Sequence, residues 1–426
     1  MRRRDFIKSI GSAIVFSQIP FSACQVSQTR YLKGDEKILF IGDSITAAGY
    51  YVNYMEAYLN SIFPDNHFDI INLGLSSETI SGLSEEDHPF PRPCILDRID
   101  RVLELVKPDL VFACYGMNCP IYHPFSESRF EKYKNGIDVL IRKTKIAGAK
   151  LILLAPPPYT KESSSTESNE NEIHNYSYLH PYARYDDVLK QYASYIMGLQ
   201  SNNLLCIDLR KAMIPYKNIA YGSDPIHPLP CGHYVMAMTI LNALGFYPEA
   251  EKAAIDYESE KSISGKITAL RFSDSLSFDW ETKPLVLFKE FEDFPPEIKN
   301  LYLDHSNMII QVKALPKDKY KIFEDLTLVR FASNTELNNG ITVFAVDGLD
   351  QKTLPPFIMR ALKGSKLISQ KRKLEKLITS YLQAPHTIQE IPEKVYDTYE
   401  KRNEIHNQLK QGRRTQLMNL QLLEFQ

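Results

Sequence analysis

The 426-residue chain is short of the features that would place it in several large functional classes. Its 50 basic and 52 acidic side chains leave a formal net charge of only -2, so it offers no basic stripe for nucleic acid and no polybasic patch for anionic lipid. Six cysteines are too few for a disulfide scaffold at this length, and no Cys-x-x-Cys pair suggests a structural zinc site. His67, His88, His123, His174 and His180 lack the spacing of a metal triad. The sequence also lacks a Gly-x-Gly-x-x-Gly fingerprint, a Walker A loop, a His-Glu-x-x-His helix and a Gly-x-Ser-x-Gly elbow. With them goes any sequence sign of a metal or an organic cofactor.

What is present is ample core material, 44% apolar and 11% aromatic residues, in a length that suits two or three domains. The first residues read as an export signal over 1–24. Arg2, Arg3, Arg4 and Lys8 precede an uncharged stretch from Ser9 to Ala23 that is too short to span a bilayer comfortably but suits a signal-peptide core. Arg3-Arg4-Asp5-Phe6-Ile7-Lys8 resembles the twin-arginine motif of bacterial proteins exported already folded. Phe21-Ser22-Ala23-Cys24 resembles a lipobox with Cys24 as the lipidated residue, and ordinary cleavage near Ala23 is the alternative because Phe21 departs from the usual aliphatic residue. Loss of residues 1–23 removes four positive charges and one negative, leaving -5. The expected location is the periplasm or the cell surface.

Five short runs rich in β-formers follow: Lys37 to Ile41, Phe68 to Leu73, Asp109 to Tyr115, Lys150 to Ala155 and Leu204 to Leu209. Helical spacing alternates with them. Ile95, Ile99, Val102, Leu103 and Val106 recur at three and four residues before Pro108, and Phe130, Tyr133, Ile137, Leu140 and Ile141 do so before Gly148. This alternation predicts a parallel sheet covered on both faces, an α/β unit over 31–248 with its chemistry at the carboxyl ends of the strands. A small β-rich module over 262–348 is read from runs such as Met308 to Val312, Tyr320 to Phe323 and Thr327 to Phe331. Leu374, Leu377, Ile378 and Tyr381 open a helical tail that is assigned to 350–426.

Directly after the first predicted strand stands Gly42-Asp43-Ser44. A serine at such a turn projects above the sheet edge, beside the amino-terminal donors of the next helix; simple helix capping is the plainer reading. Asp224-Pro225-Ile226-His227-Pro228 puts a carboxylate and an imidazole three residues apart, close enough for Asp224 to fix the His227 tautomer, and its prolines stiffen the loop. A surface turn is the plainer reading there. Asn72-Leu73-Gly74 and Tyr115-Gly116-Met117-Asn118 follow the second and third strands, where a glycine N–H and an asparagine amide suit a tetrahedral oxyanion.

Taken together these four blocks resemble the GDSL-type esterases, the SGNH hydrolase family, over roughly residues 36–246. The resemblance implies a flavodoxin-like three-layer α/β/α fold. It also implies Ser44 as nucleophile, His227 as general base, Asp224 as its orienter, and an oxyanion hole of the Ser44 and Gly74 N–H groups with the Asn118 side chain. Cys119 stands where many members carry an aspartate, so a hydrogen bond that braces that loop is expected to be missing. His233 is read as opening the next helix and bracing the His227 loop. Five cysteines remain after Cys24, with room for one or two bridges.

The reading is an exported serine esterase that works through an acyl-enzyme without metal or cofactor. Its expected substrate is an acetyl ester of carbohydrate, on two grounds. Exported enzymes meet polysaccharide, and the long polar loop from Tyr159 to about Tyr178 is flanked by Tyr176, Tyr178, Tyr182 and Tyr185. Tyr176 and Tyr178 are taken as substrate-binding, with ordinary packing as the alternative for this tyrosine run. The rival functions are a catalytically idle glycan-binding protein and a lipase- or lysophospholipase-like esterase.

Overall fold

The computed structural model describes residues 31–66, 68–161, 175–273, 275–343, 354–383, 391–412 and 416–424. The export signal, His67, His174 and the centre of the polar loop, 162–174, lie outside them.

The first unit is built on five parallel strands: β1 (Lys37–Gly42), β2 (Asp69–Asn72), β3 (Leu110–Cys114), β4 (Lys150–Leu154) and β5 (Leu205–Ile207), in the order β2-β1-β3-β4-β5. Each coincides with one of the five apolar runs. Their side chains are buried almost without alternation, as in β1 and β3, because helices cover both faces of the sheet. Those helices are α1 (Ser44–Ala48), α2 (Tyr50–Ile62), α3 (Ile99–Val106), α4 (Glu127–Ile146), α5 (Tyr185–Gly198), the short α6 (Leu209–Met213) and α7 (Lys217–Ala220), and α8 (Pro230–Ala243). Lys107, in the left-handed region just before Pro108, ends α3, and Gly148 at φ +76° closes the end of α4. The strand order reverses between β1 and β3, so the crevice at their carboxyl ends is the topological switch point where such sheets bind ligands.

The rest of the chain forms two further sheets. Strands β6 (Glu251–Asp256), β7 (Lys261–Ser264), β10 (Met308–Lys313) and β13 (Ile341–Thr342) make one, ordered β13-β10-β6-β7. The other, ordered β12-β11-β14-β9-β8, holds β8 (Lys266–Phe272), β9 (Leu276–Thr282), β11 (Lys319–Glu324), β12 (Thr327–Ser333) and β14 (Gln416–Glu424). Helices α9 (Pro296–Ser306) and α10 (Asn334–Asn339) lie among these strands, and α11 (Pro356–Leu382) pairs with α12 (Glu393–Gly412) beyond them.

Two boundaries differ from expectation. The β module begins with β6, before residue 262, because β6 pairs in parallel with the distant β10. The assigned tail is not helical to its end: β14 inserts between β9 and β11. Met418, Leu420 and Leu422 are buried at a spacing of two, the strand period, and the open sides of both neighbouring strands recruit them. All five cysteines after Cys24 are free thiols.

Candidate active site

Strand β1 runs into Asp43, whose carboxylate caps α1 by accepting from the Ile45 N–H at 3.0 Å. Ser44 is therefore the first residue of α1, at the carboxyl edge of the sheet. Its N–H belongs to the first turn, where a helix leaves donors unpaired. Burial pushes the Asp43 carboxyl up to about 7, against the Ile45 hydrogen bond and the nearby His227 ring, which pull it down.

On the segment before α8, the His227 Nδ1–H donates to Asp224 Oδ2 at 2.7 Å, leaving Nε2 to accept from Ser44 Oγ at 2.7 Å. The other Asp224 oxygen accepts from the Ile226 and His227 N–H groups at 2.8 and 3.2 Å. Although partial burial raises its pKa, these donors outweigh that effect and hold the Asp224 carboxyl below the usual range. Ser44, His227 and Asp224 thus form a continuous hydrogen-bonded chain, a geometry in which an imidazole held by an ionised carboxylate can take a serine proton.

Asn118 lies beyond β3. Its Oδ1 accepts from the Tyr122 hydroxyl at 2.9 Å, and its Nδ2 donates one hydrogen to Glu78 O at 3.2 Å, which leaves the second hydrogen for a ligand. Gly116 at φ +149° makes the turn possible, since a Cβ there would lie 2.6 Å from the Pro156 ring.

Gly74 departs from the expectation of an open oxyanion donor. Its N–H donates to Asn72 Oδ1 at 3.0 Å, so an oxyanion would have to share it. Here the need for glycine is steric, because a Cβ would sit 2.6 Å from Ala47 N and 2.8 Å from Thr46 C in the α1 backbone. Asn72 also ties the turn to α1 through an Nδ2 bond to Thr46 O at 2.7 Å.

Cys119 corrects another expectation. Its loop is not left without a brace: the buried Sγ accepts from the Ile80 N–H at 3.5 Å, and its carbonyl accepts from Ser81 Oγ at 3.3 Å. Burial pushes the thiol up to about 12, far from a reactive thiolate. His233 opens α8, as read, but its ring is buried and stacked on Tyr51 at 5.9 Å. Burial pushes its pKa down to about 3, which keeps it neutral.

Tyr176 and Tyr178 are half-buried, Tyr176 against His123 (5.6 Å), which follows the Asn118 loop, and Tyr178 against His88 (5.3 Å). Tyr185 of the same run is a brace, with its hydroxyl donating to Met117 O at 2.6 Å.

Sequence reasoning missed two buried ion pairs. Glu78 binds Arg98 at 2.6 Å and the Tyr115 hydroxyl at 2.7 Å, while Arg98 donates to Leu73 O at 2.8 Å, so one pair joins the Gly74 and Asn118 blocks. Arg92 binds Glu85 through two bonds of 2.5 and 2.8 Å and lies 5.5 Å from the Tyr122 ring. Neither pair follows a local motif, because the partners are joined by folding rather than by a periodic spacing. Among the described residues no cluster of three or more His, Cys, Asp or Glu could hold a metal ion.

Residues 40–235 match the GDSL-like Lipase/Acylhydrolase family. The chain is 26% identical over 240 residues to an acetylxylan esterase of Geobacillus stearothermophilus, an alignment that takes in 50% of this chain and 94% of that enzyme. It shares its fold, with a TM-score of 0.74 at 16% identity, with a gut microbial diltiazem-metabolizing enzyme, over 93% of this chain and 99% of that one. This second likeness extends past residue 235, beyond the reach of the family match. Residues 40–235 thus carry a GDSL-like lipase/acylhydrolase domain, and the chain is an ester-hydrolysing enzyme.

Proposed function

We propose that this chain removes short acyl groups, acetyl above all, from carbohydrate hydroxyls outside the cytoplasm. The observation that carries the chemistry is the Ser44 Oγ to His227 Nε2 contact of 2.7 Å, backed by the 2.7 Å bond from Nδ1 to Asp224. Ser44 Oγ attacks the acyl carbon while Nε2 takes its proton. The carbonyl oxygen becomes an oxyanion facing the Ser44 N–H and the free Asn118 Nδ2 hydrogen, with the Gly74 N–H shared from Asn72. As the carbon–oxygen bond to the sugar breaks, His227 returns the proton to the departing oxygen. Water then attacks the acyl-Ser44 ester by the same route, releasing the carboxylic acid and restoring the hydroxyl.

Three features support the substrate class. The acetylxylan esterase relative aligns over nearly its whole length. Tyr176 packs against His123, just after the Asn118 loop, and Tyr178 against His88, and aromatic faces of this kind suit sugar rings. The amino-terminal arginines and apolar run supply the third, since they point to export, with Cys24 as a lipid anchor.

The test is labelling with a fluorophosphonate, followed by kcat/KM for acetylated xylo-oligosaccharides against C2 to C12 nitrophenyl esters. Labelling is expected in the wild type and absent in Ser44→Ala, with preference for the acetyl sugars. Absence of labelling in the wild type would favour an idle glycan-binding protein. A preference for C8 or longer chains would favour a lipase-like enzyme.

A further inference from the structure

Strand β2 is the edge of the parallel sheet, and half of its backbone groups face away from β1. Asp69 and Leu73 turn their N–H groups inward to Glu36 O and Phe40 O, which leaves Ile70 O and the Asn72 N–H directed at the open side. An edge of this kind normally meets water, a charged side chain or another strand. Here it meets the carboxyl-terminal helical pair, three hundred residues later in the chain.

Ile70 O accepts from Lys371 Nζ at 2.9 Å, Arg372 Nη1 at 3.2 Å and Arg402 Nη2 at 2.7 Å. The Asn72 N–H donates to Glu375 Oε2 at 3.0 Å. Three cations thus serve the edge carbonyl, and one carboxylate serves the edge amide. They are balanced by an equal number of acids: Glu56 pairs with Lys371 and Arg372, Asp69 with Arg402, and Glu375 with both arginines. The side chains of Glu56, Lys371, Glu375 and Arg402 are fully buried, so none of these charges can turn to water if a partner is lost.

Glu375 differs from the rest of the cluster in what lies behind its contact. Asn72, held by its backbone, places its side chain on Gly74 N (3.0 Å) and Thr46 O (2.7 Å). Gly74 belongs to the oxyanion region, and Thr46 to the helix that begins with Ser44. We propose that Glu375 is a positioning residue for ester hydrolysis, setting the Asn72–Gly74 turn and through it the mutual placement of Ser44 and the oxyanion donors. The carboxyl-terminal pair is thereby part of the catalytic apparatus without touching the substrate. This inference rests on the oxyanion arrangement proposed above, and not on the identity of the substrate.

The test uses the full chain with Glu375→Gln, which keeps an acceptor for Asn72, and Glu375→Ala, which removes it. With an aryl acetate as substrate, Glu375→Ala should lower kcat by about tenfold with KM within about twofold, and the rate of fluorophosphonate labelling should fall in parallel. Glu375→Gln should recover most of the loss. Combined with Asn72→Ala, Glu375→Ala should add little further effect, because Glu375 acts on the site through the Asn72 side chain that this variant has already removed. Hydrogen exchange of the peptide covering residues 69–79 should quicken at least about tenfold in Glu375→Ala while the α4 and α5 peptides are unchanged. Unaltered exchange in that peptide, or wild-type kcat in a folded Glu375→Ala chain, overturns the proposal. If Glu375→Ala does not fold, wild-type exchange and kcat in a folded Asn72→Ala chain overturn it instead. A wild-type chain that reacts with neither reagent would undo the active-site reading itself, and the exchange measurement would still decide whether Glu375 sets the turn.

Discussion

In the proposed mechanism Asn118 and Asp43 differ in electrostatic state, one with an uncommitted donor and the other with a carboxyl that burial keeps protonated at low pH. The Asn118 amide keeps one hydrogen uncommitted in the resting site, so its contribution comes when the carbonyl oxygen gains charge. Asn118→Ala should therefore lower kcat by roughly 10²–10³ with little change in KM; a pure KM effect would make Asn118 a substrate contact instead. Asp43 is a buried carboxyl with a pKa of about 7 in the folded chain against 3.8 for the free side chain. Between those values the folded state holds the proton more tightly than the unfolded state, so the contribution of Asp43 to stability is lost as pH rises toward 7, by up to about 4 kcal/mol. Asn at this position keeps the α1 cap and has no proton to lose. Melting temperatures of wild type and Asp43→Asn at pH 5 and pH 8 should show the variant gaining relative stability at the higher pH, and an equal difference at both would count against this account.

At the scale of elements, the site depends on how closely the turn after β2 approaches α1. Gly74 lets the two backbones come within a distance that no Cβ could occupy. Gly74→Ala must push α1 outward and carry Ser44 away from His227, since the obstructing atoms are backbone and cannot rotate aside. We expect a loss of about tenfold or more in kcat and a lower melting temperature. Wild-type kinetics in Gly74→Ala would mean that the turn has slack. A similar constraint acts on the Asn118 block, where Glu78 receives hydrogen bonds from Asn118, Tyr115 and Arg98.

Across the whole molecule, the hydrolase unit and the β module share a core. Tyr54 of α2 packs against Phe288 and Phe291 at 5.0 and 5.2 Å, and Tyr234 of α8 meets Phe291 and Phe294 at 5.6 Å each. The Tyr58 and Tyr234 hydroxyls join at 2.8 Å within this aromatic layer. A chain that stops at residue 248 would expose these rings, the β2 edge and the charge of Glu56 together. Such a chain should be aggregated or unfolded when measured by size exclusion and near-ultraviolet circular dichroism. A monomeric, esterolytic 1–248 chain would show that the later modules are dispensable.

The five strands of the parallel sheet and the four blocks at their ends are legible along the chain, because unbroken apolar runs, helical spacing and turn residues are local properties. The same blocks pair Ser44, His227 and Asp224, and Tyr185, read within an aromatic run, supports the Asn118 loop. That β14 closes a sheet rather than extending a helix follows from long-range pairing, since the leucines of Gln416–Glu424 suit either form until β9 and β11 offer open sides. Long-range packing likewise sets the fate of Lys371, Arg372, Glu375 and Arg402, which along the chain read as an ordinary charged helical tail. Their burial against Ile70 and Asn72 arises from an edge strand some three hundred residues earlier, and no periodicity within a helix encodes which distant backbone its charges will meet.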